Sequence, residues 1–203
     1  MPATPAAGAS FRPAVALAAA LTGLLAACGQ PSPVLLPMNE QGAVLHPASR
    51  FAFPAQVGPF ERANVKHHDA QGEALSADYT LAETAVITVY VYPEPPTDAK
   101  AGDLLERHVQ AMKGAVGHNP DLRLLSEAPV DVTQNGRAYQ GRRLTFEYRG
   151  SFGGVEQELF AKHYLFLLGR HFIQYRVIYP AAEDVKTSPL IQSFLNDLRW
   201  PGE

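Results

Sequence analysis

Two stretches of this chain alternate between apolar and polar residues, which is the period of a β-strand. The first stretch, residues 60–92, holds three such segments, and the last of them, AVITVYVYP, is rich in β-branched and aromatic residues. The second stretch, residues 122–179, ends in two long apolar segments on either side of Gly169-Arg170. The pattern therefore predicts two groups of strands that are joined mainly by hairpin turns.

Two other segments have the 3.6-residue period of a helix. The first follows three prolines, and Thr97 or Asp98 is suited to cap it. Its apolar stripe consists of Leu104, Leu105, His108, Val109, Met112 and Val116. The second begins at Ser188-Pro189, which has the residue types of a helix start. Its apolar stripe consists of Leu190, Ile191, Phe194, Leu195 and Leu198. The order of strands, helix, strands and helix predicts an α+β fold, with a mainly antiparallel sheet flanked by helices.

Asn135-Gly136 lies between two extended segments and favours a two-residue hairpin turn. With that turn, Val132 lies opposite Tyr139. In a regular strand, the apolar residues from Leu144 onward point to the opposite face from Tyr139. To bring them all to a single buried face, one extra residue would be needed between them. We therefore predict a β-bulge near Gly141-Arg142, where glycine adopts the required backbone easily.

The hairpin about Gly169-Arg170 has apolar residues on both of its faces. One face carries Tyr164, Phe166, Leu168, Ile173, Tyr175 and Val177. The other face carries Leu165, Leu167, Phe172 and Ile178 together with the polar residues His163, Gln174 and Arg176. Such a pattern predicts a sheet that is covered on both sides. The hairpin register places His163 opposite Arg176.

The N-terminal 27 residues predict a targeting segment. Residues 13–27 are uncharged and too short to cross a bilayer as a helix, but they have the length of a signal-peptide core. The sequence LAAC that ends at Cys28, the only cysteine of the chain, resembles the lipobox of bacterial lipoproteins. That resemblance implies cleavage before Cys28 and acylation of this residue, which would anchor the protein to a membrane without a spanning helix.

The segment after the cysteine is rich in proline, and we predict that residues 28–50 are the lipidated cysteine and a flexible tether. Residues 51–203 then form the folded domain. Gly29 follows the cysteine, and the lipoprotein resemblance implies that the absence of aspartate there favours the outer membrane. We therefore expect the domain to face the periplasm of a bacterial envelope. A secretory signal with a coincidental cysteine is the alternative.

Element order and the C-terminal sequence FLNDLRWP resemble the PsbP-like α/β/α sandwich, which the bacterial DcrB-like lipoproteins share. The resemblance spans about residues 50–201 and rests on no catalytic motif. It implies a binding or assembly module, although a fold alone does not fix a function.

Composition and sequence motifs narrow the range of possible functions further. The net charge is −3, so nucleic-acid binding, which requires a basic surface, is not expected. Phosphate-binding loops, dinucleotide fingerprints, nucleophile elbows and the HExxH zinc motif do not occur.

The sequence KHHD places His67, His68 and Asp69 together, but neighbours on a strand point to opposite faces, so at most His67 and Asp69 converge. We predict no metal site and no cofactor.

Two groups of polar residues remain as candidates for contact with a ligand or partner. The first is His163, Gln174 and Arg176, which would form a small anion site through the guanidinium fork or simply pair across strands beneath a helix. The second comprises Arg142 and Arg149 in an arginine-rich hairpin, which would contact lipid headgroups or an acidic partner if they are more than solvated charges.

The sequence thus favours a lipid-anchored, non-enzymatic domain that holds a protein or envelope partner. Two alternatives stay open. One is a metal- or ligand-dependent hydrolase that uses the His67, His68 and Asp69 region, and the other is a carrier of a small ligand between the sheet and a helix.

Overall fold

The computed structural model describes residues 42–96, 100–116 and 121–201. The first group of strands within these residues is β1 (Val44–Leu45), β2 (Ala52–Phe53), β3 (Gln56–Val57), β4 (Phe60–His67), β5 (Leu75–Leu81) and β6 (Ala85–Pro93). Helix α1 (Ala101–Val116) separates them from β7 (Arg123–Gln134), β8 (Arg137–Phe152), β9 (Val155–Leu168) and β10 (His171–Pro180). Helix α2 (Asp184–Asp197) follows. The predicted caps of α1, Thr97 and Asp98, lie outside the described residues.

Eight of these strands form one sheet in the order β3-β4-β5-β6-β10-β9-β8-β7, and every pairing in it is antiparallel. Strands β1 and β2 form a separate two-stranded hairpin. The α+β class and the mainly antiparallel sheet are therefore confirmed. Neither helix in the described ranges is long and apolar enough to span a bilayer.

Helix α2 and the β1–β2 hairpin cover one face of the sheet, which we call the closed face. Phe194 and Leu195 of α2, Phe51 and Phe53 of the hairpin, and the inward side chains of the central strands form one core. Phe194 packs edge-on against Phe60 and Tyr79, with ring centroids 5.1 Å from each. Aromatic pairs in this geometry add to the hydrophobic stabilisation that burial provides.

Helix α1 lies on the opposite face and forms a second, smaller core. Leu104, Val109 and Met112 of α1 are buried there. They share this core with Leu144, Phe146, Leu159, Ala161, Leu165 and Phe172 of the sheet. The predicted two-sided hairpin of β9 and β10 is confirmed, since its alternate residues enter the two different cores. Its predicted register is also confirmed, because His163 pairs with Arg176.

The predicted Asn135-Gly136 turn is present and places Val132 opposite Tyr139. The predicted bulge near Gly141-Arg142 is wrong, because β8 pairs without interruption with β9 through both residues. No extra residue is needed because the two parities serve different cores: Tyr139 contacts Trp200 on the closed face, and Leu144 lies under α1.

Gly141 serves a different purpose, the close approach of its cross-strand neighbour Phe166. A Cβ atom at this position would lie 2.4 Å from the Phe166 ring and 2.5 Å from the carbonyl oxygen of Leu165. Only glycine leaves space for that ring, which is fully buried.

Helix α2 begins earlier than predicted. It starts at Asp184 after a single 3₁₀ turn, and Pro189 lies inside it rather than at its first position. Asp184 accepts hydrogen bonds from Lys162 of β9 (2.8 Å) and Ser188 (2.7 Å), and an acidic residue in the first turn also suits the helix dipole. The predicted stripe is otherwise placed well, with Ile191, Phe194, Leu195 and Leu198 buried.

The folded domain begins before residue 51, where the sequence placed its start. His46 is 0% exposed, and its Nε2 atom lies 2.9 Å from the carbonyl oxygen of Glu73. The Arg62 guanidinium donates to the carbonyl oxygens of Gly42 (2.7 Å) and Phe53, which fastens the β1–β2 hairpin to β4. Residues 42–50 of the predicted tether therefore belong to the domain, whereas Cys28 and the rest of that segment lie outside the described residues.

Candidate binding face

The central strands β5, β6 and β10 differ between their two faces. The residues that point to the closed face are 0% exposed in the middle of all three strands. They are the alternate residues from position 75 to 79 in β5, 87 to 91 in β6 and 173 to 177 in β10. The residues between them point to the other face, and most of those are only partly buried. Helix α1 packs mainly over β8 and β9, which leaves this part of the sheet uncovered by the described helices. We call it the open face, and its polar centre consists of Lys66, Asp78, Thr88, Tyr90 and Arg176.

A chain of hydrogen bonds crosses four strands of the open face. Lys66 Nζ lies 2.9 Å from Asp78 Oδ2, and Thr88 Oγ1 donates to Asp78 Oδ1 at 2.8 Å. Arg176 Nη2 donates to Thr88 Oγ1 at 3.4 Å. Burial alone would raise the pKa of Asp78, but the hydrogen bonds from Lys66 and Thr88 outweigh it and hold that pKa below its ordinary value. The open face therefore carries two cations and one ionised carboxylate.

Arg176 is the least satisfied member of this chain. Its Nε atom is buried and has no hydrogen-bond partner among the described residues. The guanidinium carbon lies 5.6 Å from the centroid of the Tyr90 ring, and within the described ranges no ion pair joins this guanidinium to a carboxylate. Of the five N–H donors of this guanidinium, one makes a hydrogen bond to a described protein group, and that bond is long.

The other two members of the predicted anion site, His163 and Gln174, lie at the border between the open face and α1. Gln174 Nε2 lies 3.3 Å from His163 Nδ1, and Gln174 Oε1 accepts from the Tyr92 hydroxyl at 3.0 Å. That hydroxyl lies 2.8 Å from Nε2 of His108 on α1. Burial, together with the nearby positive charge of Arg176, lowers the pKa of His163 to about 3. His163 is therefore neutral at ordinary pH and part of a buried polar network.

The two arginines of the second predicted group lie apart from the open face. Arg142 Nη2 lies 3.5 Å from a carboxylate oxygen of Glu106 on α1, and Arg149 Nη1 lies 3.6 Å from Glu158 on the neighbouring strand. Both ion pairs are largely exposed, and such pairs contribute little to stability. Contact of these arginines with lipid or a partner stays a prediction.

The residues of the KHHD segment make separate local contacts. His68 Nε2 lies 2.8 Å from Ser76 Oγ, and Asp69 Oδ1 accepts from the backbone N–H of Glu73 at 2.9 Å. His67 ends β4 and faces Gly72. Over residues 42–96, 100–116 and 121–201, no three His, Cys, Asp or Glu side chains are grouped so that they could hold a metal ion.

A polar cluster near the start of α2 was not predicted. Lys162 Nζ lies 2.8 Å from Asp184 Oδ1 and 2.9 Å from Ser188 Oγ, and the Tyr179 hydroxyl also donates to Asp184. Burial would raise the pKa of Asp184, but the bonds from Lys162 and Tyr179 lower it to about 2. A lysine that activates a serine must be uncharged, whereas Lys162 is ion-paired. The cluster therefore anchors α2 to β9 and β10.

One shallow depression lies beside α1, with a volume of about 210 Å³. It is lined by Pro95, Leu104, Arg107, His108, Ala111 and Phe172. Its two polar side chains do not converge, since His108 bonds to Tyr92 and Arg107 is exposed. Ligand sites usually combine an apolar pocket with convergent polar groups, so this depression gives the carrier hypothesis little support.

Sequence reasoning missed most of the open face. Tyr90 and Thr88 were included in the clearest strand but not as candidates, although their alternation with valine and isoleucine marks one polar face of β6. Lys66 and Asp78 lie on two other strands, and only the pairing of β4, β5 and β6 brings them together.

Comparison with known proteins supports the fold and says little about function. No protein-family model matches the chain, and no curated protein is significantly similar to it. Among solved structures, it is similar to PA94, a protein of unknown function from Pseudomonas aeruginosa, with a TM-score of 0.50 and 11% identity over 71% of this chain and 99% of that one. At this identity the likeness concerns the fold alone.

The cyanobacterial PsbP of Synechocystis sp. PCC 6803 is also among the similar structures. That match covers 87% of this chain and 99% of the other, with 13% identity and a TM-score of 0.41. A TM-score of this size carries no argument about what the chain does.

Proposed function

We propose that this chain is a lipid-anchored, non-enzymatic binding domain that holds an acidic segment of an envelope protein on its open face. The observation that carries the proposal is the difference between the two sides of β5, β6 and β10. One side is sealed by α2 and the β1–β2 hairpin, and the other presents aromatic and charged side chains that the described helices leave uncovered.

The residue types of the open face fit a partner rather than a reaction. Tyrosine and arginine are the residues that most often dominate binding energy at protein interfaces, and Tyr90 and Arg176 lie in contact at its centre. Two cations against one carboxylate favour a partner surface that is acidic. The Thr88 hydroxyl donates to Asp78, but the ion pair with Lys66 and the lowered pKa of Asp78 make this carboxylate a weak general base.

The proposed location of the domain at a membrane rests on the sequence alone. The lipobox-like LAAC would place the domain at a membrane surface through acylated Cys28, and Gly29 favours the outer membrane. An anchored domain meets its partner at a high effective concentration, so a modest contact area on the open face would be sufficient.

Site-specific photo-cross-linking in intact cells tests the binding role. A photoreactive amino acid at Thr80, a partly buried position on the open side of β5, should give one discrete protein adduct. The same amino acid at Gln192, on the exposed side of α2, is the matched control and should give none. Tyr90→Ala should reduce the Thr80 adduct. Equal adducts from both positions, or an adduct that is indifferent to Tyr90→Ala, would refute the proposal.

Labelled fatty acid tests the anchor separately. The wild-type chain should incorporate label and sediment with membranes, whereas Cys28→Ala should do neither. Incorporation into Cys28→Ala would show that the anchor is elsewhere, without affecting the evidence for the open face. Co-fractionation of the wild type with the inner membrane would overturn only the assignment to the outer membrane.

A further inference from the structure

We propose that Arg176 is the recognition residue of the open face and binds a carboxylate group, the aspartate or glutamate side chain of the acidic partner. That the carboxylate comes from the acidic partner rests on the proposed function. That Arg176 binds a carboxylate rests on the geometry around its side chain.

Arg176 has unmet hydrogen-bonding capacity. Its Nη2 atom makes one hydrogen bond, 3.4 Å long, to Thr88, and its buried Nε atom makes none with the described residues. A guanidinium that is partly removed from water and lacks an anionic partner is costly. Because Nε is enclosed and the residue as a whole is partly exposed, a carboxylate would reach the terminal N–H groups, and two parallel N–H bonds there would remove much of that cost.

The carboxylate nearest to Arg176 along the hydrogen-bond chain, Asp78, is already satisfied. Asp78 accepts from Lys66 at 2.9 Å and from Thr88 at 2.8 Å, one bond on each oxygen. Thr88 stands between Asp78 and Arg176 and donates its only proton to Asp78. Asp78 therefore fixes the acceptor direction of the Thr88 hydroxyl toward Arg176 and does not neutralise the guanidinium directly.

Within the described part of the chain, the surroundings of the Arg176 guanidinium contain no charge of opposite sign in direct contact with it. The Tyr90 ring lies against it, and burial raises the pKa of the Tyr90 hydroxyl, which keeps it uncharged. His163, its cross-strand neighbour, is buried and neutral. An aromatic ring and an uncharged histidine leave the charge of Arg176 without a neutralising partner on these two sides.

The charge balance selects a carboxylate over a phosphate group. A phosphate that carries close to two negative charges would need more than one guanidinium, and Lys66 is committed to Asp78. The Asp78 carboxylate, one hydroxyl away from Arg176, would also repel a dianion more strongly than a monoanion. A single fork with one neighbouring carboxylate fits a planar monoanion.

The test follows the side-chain Nε–H resonance of Arg176 by NMR in the purified full-length protein. Sodium acetate is titrated at constant ionic strength, with sodium chloride as the screening control and inorganic phosphate as the competing chemistry. We expect a saturable shift with acetate, no saturation with chloride, and a smaller effect with phosphate. Arg176→Lys, which keeps the charge but loses the fork, should bind acetate about tenfold more weakly. Arg123→Gln, at an exposed position on β7 outside the open face, is the matched control and should bind acetate as the wild type does.

Each other outcome overturns the proposal. A shift that follows ionic strength alone shows that Arg176 is only screened, and tighter binding of phosphate than acetate assigns the site to a phosphate group. Unchanged acetate binding in Arg176→Lys, with its fold verified by circular dichroism, removes the fork from the account. If the Thr80 cross-link forms while acetate does not bind, the open face remains a binding face and only its proposed chemistry fails.

Discussion

The two faces of the central sheet are built from the same strands but have opposite compositions. On the closed face, β5, β6 and β10 present leucine, valine, isoleucine and tyrosine side chains that are fully buried under α2 and the β1–β2 hairpin. On the open face the same strands present serine, aspartate, threonine, tyrosine and arginine. The closed face can supply most of the hydrophobic stabilisation, so the open face is not needed for folding.

This difference explains why the polar groups of the sheet are of two kinds. Gln134, which is buried, and the Lys162–Asp184 pair, which is partly exposed, fasten α2 to the sheet. The Lys66–Asp78–Thr88–Arg176 chain fastens no helix and ends in a guanidinium with spare donors. The Gln134 amide and the Lys162–Asp184 pair are satisfied within the fold, whereas Arg176 Nε is not.

The largest expected effect is on the closed face. Phe194→Ala should lower the free energy of unfolding by about 3–5 kcal/mol, because it empties a site enclosed by Phe60, Tyr79 and Tyr175. Denaturant melts measure the loss. Asn135→Ala, which removes a turn residue and its hydrogen bond to Trp200, should cost less. Equal costs for the two variants would show that α2 is misplaced.

Gln134→Ala should cost about 2–3 kcal/mol. Gln134 is 3% exposed, and its amide donates to the carbonyl oxygens of Leu195 (3.1 Å) and Leu198 (3.2 Å) and accepts from the backbone N–H of Trp200 (3.3 Å). The variant would leave these backbone groups buried without partners. Thr133→Ala, at the exposed neighbouring position, is the control and should be nearly neutral in the same melts.

Acidification should destabilise the protein through its buried histidines. Burial lowers the pKa of His46 from its ordinary value of 6.5, against the opposing effects of Asp69 and Glu73, and lowers the pKa of His171, whose ring lies 5.3 Å away. The folded state therefore binds protons less readily than the unfolded state. Stability is complete above pH 6.5 and falls as the pH drops below it, by at most about 1.4 kcal/mol per pH unit for each proton.

Urea melts at four points from about pH 7.5 to about pH 5.0 would measure this loss. His46→Gln should make the profile flatter below pH 6.5, because one histidine no longer contributes. A profile that stays level from pH 7.5 to 5.0 would contradict the packing of His46 between Glu73 and His171.

The smallest expected effect belongs to the open face. Lys66→Ala removes an ion pair whose lysine side chain is 40% exposed, and it should cost about 0.2–1 kcal/mol. The measurement is the same denaturant melt, repeated in high salt, where the difference from the wild type should shrink. A loss as large as that of Phe194→Ala would mean that the open face is a structural element.

Local pattern was sufficient to predict much of this architecture, since the strand segments, the Asn135-Gly136 hairpin and the pairing of His163 with Arg176 depend on residues close in sequence. The bulge at Gly141 failed because the parity argument assumed one buried face. The start of α2 failed because Asp184 is held by Lys162, a partner on another strand.

The candidate site was harder to predict for the same reason. Arg176 was recognised from a single hairpin, but its neighbours Thr88 and Asp78 come from strands nearly one hundred residues earlier in the chain. The part of the sheet that α1 covers depends on the direction in which the helix crosses the strands. The amphipathic stripe of α1 specifies only that one side of the helix is buried.

The central claim, that the closed face stabilises the domain and the open face is spare for binding, is tested most directly by two tyrosines on adjacent strands. Tyr79 is 0% exposed on the closed face, and Tyr90 is partly exposed on the open face. The free energy of unfolding of Tyr79→Ala should fall by about 3–5 kcal/mol and that of Tyr90→Ala by about 1–2 kcal/mol. Losses of equal size would contradict the account, because they would show that both faces hold the fold together.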